Sequence, residues 1–204
     1  MRRRRRPLYI VVVAIQALTR DGFDLTRHPA SLLSTGDLGW VQVTTFVVSG
    51  LLTIVCGVGM WRVLRPGRGG TWGPLLVGAY GTGLIAAGVF VADPADGFPP
   101  GTPAGPPDTV SWHGGVHFVV AGIAFLALIA ACLVFARRFA GLGQRGWAAY
   151  CVATGVIFLA AFAGIASGSG APALNVAFAV AVLLGWTWVS VMAARLMTEE
   201  ASGG

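Results

Sequence analysis

Residues Trp112 to Ala136 read WHGGVHFVVAGIAFLALIAACLVFA, 25 positions without a single Asp, Glu, Lys or Arg. As an α-helix this run covers about 37 Å, more than the ~30 Å hydrocarbon core of a bilayer. Lipid offers no partner for a backbone N–H or C=O, so an apolar run of this length must satisfy its own hydrogen bonds as a helix. Trp112 at one end and Arg137-Arg138 directly after the other are residues that settle at the two interfaces.

Four more runs have the same character: about Trp40–Trp61, Trp72–Ala92, Trp147–Ala166 and Pro172–Ala194. A sixth, Pro7–Thr19, has only 13 positions and follows Arg2–Arg6. Its ~20 Å suits either a short first span, with the arginines reaching back to the interface, or the apolar part of a signal peptide. Ala14 and Ala17 do not form a small-x-small cleavage site, which favours a retained helix. The expectation is an all-α polytopic transmembrane bundle. It has six helices, the first one short, in one integral membrane domain over 1–204, with spans near 7–19, 40–61, 72–92, 112–136, 147–166 and 172–194.

Composition agrees. Charged residues make up 11% of the 204, against about 25% in a soluble domain. The net charge of +6 rests on arginine alone, gathered in short clusters between apolar runs. That pattern excludes a basic nucleic-acid-binding face and fits the positive-inside bias. With the N-terminus in the cytoplasm, Arg2–Arg6, Arg62, Arg65, Arg68, Arg137, Arg138, Arg145 and Arg195 fall inside, and only Arg20 and Arg27 outside. This predicts a cell-membrane protein with both termini cytoplasmic. Cys56, Cys132 and Cys151 all lie in apolar runs and read as small buried hydrophobes. Ala79, Gly83 and Ala87, four residues apart, allow close helix approach.

The chemistry-bearing residues are lopsided. All six Asp and all three His belong to the predicted outer loops, 20–39 and 93–111, or to the start of the span that follows. In the first loop, Pro29–Thr35 suggests a short interfacial helix laying Leu32 and Leu33 on the membrane. The second loop holds six prolines between Asp93 and Asp108, a stiff strap that is either a lid or a spacer. His113 and His117 stand one helical turn apart, a spacing that serves either metal ligation or the capping of a polar helix start. Asp93 and His113 close the ends of one hairpin at the same membrane face, so Asp93, His113 and His117 should converge with the first loop, at least one of Asp24, Arg27 or His28 coming within hydrogen-bond or ion-pair distance of them.

The segments GFDLTRHPASLL (Gly22–Leu33), GDLGWVQ (Gly36–Gln42), GVFVADP (Gly88–Pro94), GFPPGTP (Gly97–Pro103) and SWHGGVH (Ser111–His117) resemble the bacterial multipass family known as domain of unknown function 998. The resemblance covers nearly the whole chain. It implies a six-helix membrane protein of about this size and no particular activity. The family's first helix usually extends further toward the N-terminus, where this chain has its arginine run.

Three functions are open at this stage. One is non-enzymatic: binding lipid or a lipid headgroup, sensing the envelope, or supporting a membrane partner protein, with Arg27 and Asp93 as a structural latch between the loops. The second is a zinc-dependent hydrolase. His28, His113 and His117 would hold the metal, Asp24 or Asp93 would serve as base or supporting carboxylate, and Ser31 would assist. Its substrate would be a lipid or an interfacial amide or ester. The inventory is similar in kind to that of alkaline ceramidases, without their motif order. The third is a small transporter, disfavoured because no span carries a charge at mid-depth.

Overall fold

The computed structural model of the chain describes residues 8–168 and 170–203. The Arg2–Arg6 run lies outside them, and with it the choice between a retained first helix and a signal peptide. Regular structure in the described residues is helical: α1 (Leu8–Thr19), α2 (Gly39–Leu64), α3 (Trp72–Val89), α4 (Trp112–Gly141), α5 (Arg145–Ala166) and α6 (Pro172–Gly203). Five of these, α2 to α6, are long and apolar enough to cross a membrane, and α1 is a shorter apolar helix. The protein is a multipass membrane protein.

Each of the helices α2 to α5 packs against the next in the chain, and both α1 and α6 return to α2, so the bundle closes on itself. Backbone meets backbone where α2 crosses α3. There a Cβ on Gly50 would lie 2.6 Å from the Gly81 carbonyl oxygen, and one on Gly81 would lie 2.8 Å from that of Gly50. Gly83 of the small-residue stripe meets Ala124 of α4, and Ala87 is buried, while Ala79 faces outward. Tyr9 stacks on Trp186 at 4.7 Å and Tyr80 lies 5.9 Å from the same ring, which ties α1, α3 and α6 together at mid-depth. Cys132 and Cys151 are free and fully enclosed, and the Trp188 indole donates to the Cys151 sulfur.

Two faces result. On the arginine face, Arg138 donates to the Arg68 carbonyl at 2.9 Å, and Arg195 donates to Gln144 at 2.7 Å beneath the Trp147 ring. On the opposite, loop face stand the two long loops, and there the structure differs from the sequence expectation in two places. Helix α3 stops at Val89 rather than Ala92: Phe90 turns to extended backbone ahead of Pro94, which has no N–H to carry the ladder on, and His117 of α4 takes up the open Phe90 carbonyl. Residues Ala30–Ser34 do form a short helix, of the 3-10 type. However, Leu32 and Leu33 are buried against Ala92 and Phe98 instead of lying on the membrane, since the proline strap supplies an apolar surface for them.

Candidate functional site

The loop face is held by arginine and histidine bonded to backbone oxygens. Arg20, the first residue after α1, donates to the Leu33 carbonyl at 2.9 Å and the Thr35 carbonyl at 2.7 Å, and its guanidinium lies 5.1 Å above the Phe98 ring. Partial burial lowers its proton affinity from the ordinary value, and Asp37 opposes that shift. Arg27 donates to the Asp96 carbonyl at 3.0 Å. His28 reaches the same oxygen with Nε2, also at 3.0 Å, and its Nδ1 faces the Asp24 backbone N–H at 2.9 Å. An N–H can only donate, so Nδ1 is the acceptor and Nε2 carries the proton. Asp96 offers its carbonyl from a left-handed backbone (φ 55°). Asn175, one turn into α6, donates to the Thr26 and Arg27 carbonyls and fastens the first loop to that helix.

Phe98 is the centre of this assembly, with no exposed surface. Its ring meets Phe23 edge-on at 5.2 Å and His28 at 5.5 Å. Both loops bend around one buried aromatic side chain.

The ends of α3 and α4 close each other. The Asp93 carboxylate accepts the Ser111 N–H at 2.8 Å, and the Ser111 hydroxyl accepts the Gly114 N–H at 3.0 Å, capping α4. In return, His117 Nδ1 lies 2.8 Å from the Phe90 carbonyl and 3.2 Å from that of Ala87, satisfying oxygens that α3 leaves open. Gly114 is required here: a Cβ would run into the Asp93 carboxylate.

Beneath the loops lies a cavity of about 550 Å³, walled by all six helices and roofed by Pro29, Ala30 and Ser31. Tyr9, Tyr80 and Trp186 floor it, and Leu84, Phe125, Phe162 and Phe178 supply much of the wall. No charged side chain lines it. Phe118, another lining residue, is 63% exposed on the bundle surface, so a single side chain of α4 stands between the cavity and the outside of the bundle. The volume falls within the roughly 300–1,000 Å³ of small-molecule sites.

The residues singled out in the sequence are distributed as follows. His28 is buried in the latch with both ring nitrogens engaged, so it has no lone pair for a metal. His113 is exposed, against Trp112 and Phe90. His117 and Ser31 share the cavity wall. Asp24 is exposed, and the Thr26 N–H and hydroxyl, each 2.8 Å from its Oδ1, hold its carboxyl below the usual carboxylate range. Arg27 and Asp93 do not meet; the first binds the Asp96 carbonyl, the second the Ser111 N–H. Among the described residues no three His, Cys, Asp or Glu gather to hold a metal ion, and the donor set does not fit zinc. Arg20, Phe98 and the cavity itself were not singled out. Arg20 stood out only as one of two arginines on the acidic side.

The model of a family described as protein of unknown function (DUF998) matches residues 6–195. No curated protein and no solved structure matches the chain.

Proposed function

We propose that this chain, which belongs to the family described as protein of unknown function (DUF998), binds a membrane lipid inside its bundle and releases it without changing it. The observation that carries this reading is the apolar cavity of about 550 Å³ enclosed among the six helices. Water gains little in such a space, because it needs two to four polar partners. A lipid chain loses nothing on leaving the hydrocarbon and gains close packing against Phe125, Phe162 and Phe178. The roof of Pro29–Ser31, fixed by the loop latch, closes the end toward water.

Filling the cavity tests the reading. Ala121 lies on its wall and is partly exposed. Ala121→Trp should leave a folded, monodisperse protein that has lost the lipid carried through purification. Mass spectrometry of the organic extract should find about one lipid per unaltered chain and at least tenfold less for the variant. An unaltered protein free of lipid, or a variant that keeps it, overturns the proposal.

The same reading puts the loop face outside a cell membrane and both termini in the cytoplasm, supported by the arginine distribution. Reporter fusions after Arg65 and Arg138 should be active only as cytoplasmic reporters, and one after Asp96 only as an exported reporter. Activity of an exported reporter after Arg65 would refute this orientation.

A further inference from the structure

We infer that the cavity's occupant is an uncharged lipid with a free hydroxyl, and that this hydroxyl donates to Nε2 of His117. The inference rests on the lipid-binding reading above. His117 Nδ1 faces only carbonyl oxygens, those of Phe90 and Ala87. Carbonyls accept and never donate, so the proton sits on Nδ1 and the neutral ring keeps a lone pair on Nε2. The side chain is 3% exposed and lines the cavity. Among the described residues no hydrogen bond is made to Nε2. An acceptor without a partner in an apolar wall is costly unless a donor reaches it, and an occupant of the cavity can bring that donor.

The surroundings set the rest of the chemistry. With no charged side chain on the wall, an ionised headgroup would be stripped of water without a counter-charge. A hydroxyl carries no such penalty. Ser31, in the roof, can donate to or accept from the same head oxygen or a second one. His117 stands about 7.5 Å along α4 from Trp112. The head would therefore sit just under the roof, with the chain running down toward Tyr9 and Trp186.

Three ligands with one common chain separate the possibilities: oleyl alcohol, methyl oleate and oleate, titrated into the purified full-length protein in detergent. Oleyl alcohol should bind at least about tenfold more tightly than methyl oleate, which can accept a hydrogen bond but not give one. His117→Phe should reduce that gap to about twofold while leaving methyl oleate unchanged. Because His117 also holds the end of α3, the comparison on the unaltered chain decides the matter should the variant fail to fold. Equal affinity for alcohol and ester overturns the hydroxyl assignment and leaves lipid binding standing, as does tightest binding by oleate. Binding of none of the three overturns both.

Discussion

Replacing Phe98 with alanine should cost about 3–5 kcal/mol of stability, the range for emptying a fully buried aromatic site. The ring is enclosed by Phe23, His28, Leu33 and Ala92, with the Arg20 guanidinium above it. None of these can collapse into the space freely. Arg20 is tied to two carbonyls, His28 is fixed at both nitrogens, and Leu33 belongs to the turn that roofs the cavity. The loss should therefore appear twice, as a lower melting temperature and as faster exchange of bound lipid. Pro103→Ala, at an exposed point of the same strap, is the control and should change neither. A Phe98→Ala protein that melts within about 1 kcal/mol of the unaltered one would show that the loops are not organised around this ring.

A second large effect is expected from Gly50→Leu. At the α2–α3 crossing the neighbours of a new side chain are the Gly81 carbonyl at 2.6 Å and Ile85 Cγ1 at 2.6 Å. Backbone cannot swing aside, so the helices must separate along their length, and in lipid their association depends on that close packing. Overpacking of this kind costs about 3 kcal/mol or more, enough to abolish recovery of a monodisperse protein. Gly59→Leu, in the same helix with open space around its Cβ position, should be tolerated. Equal behaviour of the two variants in gel filtration and thermal melting would mean that the glycine contact does not hold α2 against α3.

The spans were readable because hydrocarbon imposes a length and a composition that a single sequence displays, as Trp112–Ala136 does. Their ends were readable where an aromatic or basic anchor marks them. Helix α3 ends inside its apolar run, where Phe90 turns to extended backbone ahead of Pro94, and hydropathy does not mark that turn. The loops meet at the Asp96 carbonyl and Phe98, whereas among the described residues Asp93, His113 and His117 make no hydrogen bond to Asp24, Arg27 or His28, the convergence expected from the hairpin. Arg20, Arg27 and His28 all bind carbonyl oxygens, and a carbonyl is present at every residue, so composition cannot point to one. The eye therefore paired Arg27 with the nearest prominent carboxylate, Asp93, when the acceptor was the Asp96 backbone. Phe98 lay in a stretch dominated by proline and glycine, where its neighbours suggest solvent. The cavity was hidden for a different reason. A void is set by how far apart helices stand, and Leu84, Phe125 and Phe178 would look the same in a filled core.

The mutual closure of α3 and α4 has a mechanical consequence. Asp93, Ser111 and His117 complete both helix ends before the strap between them is reached, and Phe98 pins that strap close to its start. From Gly101 to Val110 the chain is largely exposed, but its first half still holds the latch, because the Pro103 and Gly105 carbonyls accept the Gly97 and Asp96 N–H groups at 3.0 and 2.8 Å. Only the rest of the arc, from Pro106 to Val110, is a slack tether on a rigid frame. Its length and composition can drift, be cut or carry an inserted tag without the membrane-embedded part registering the change.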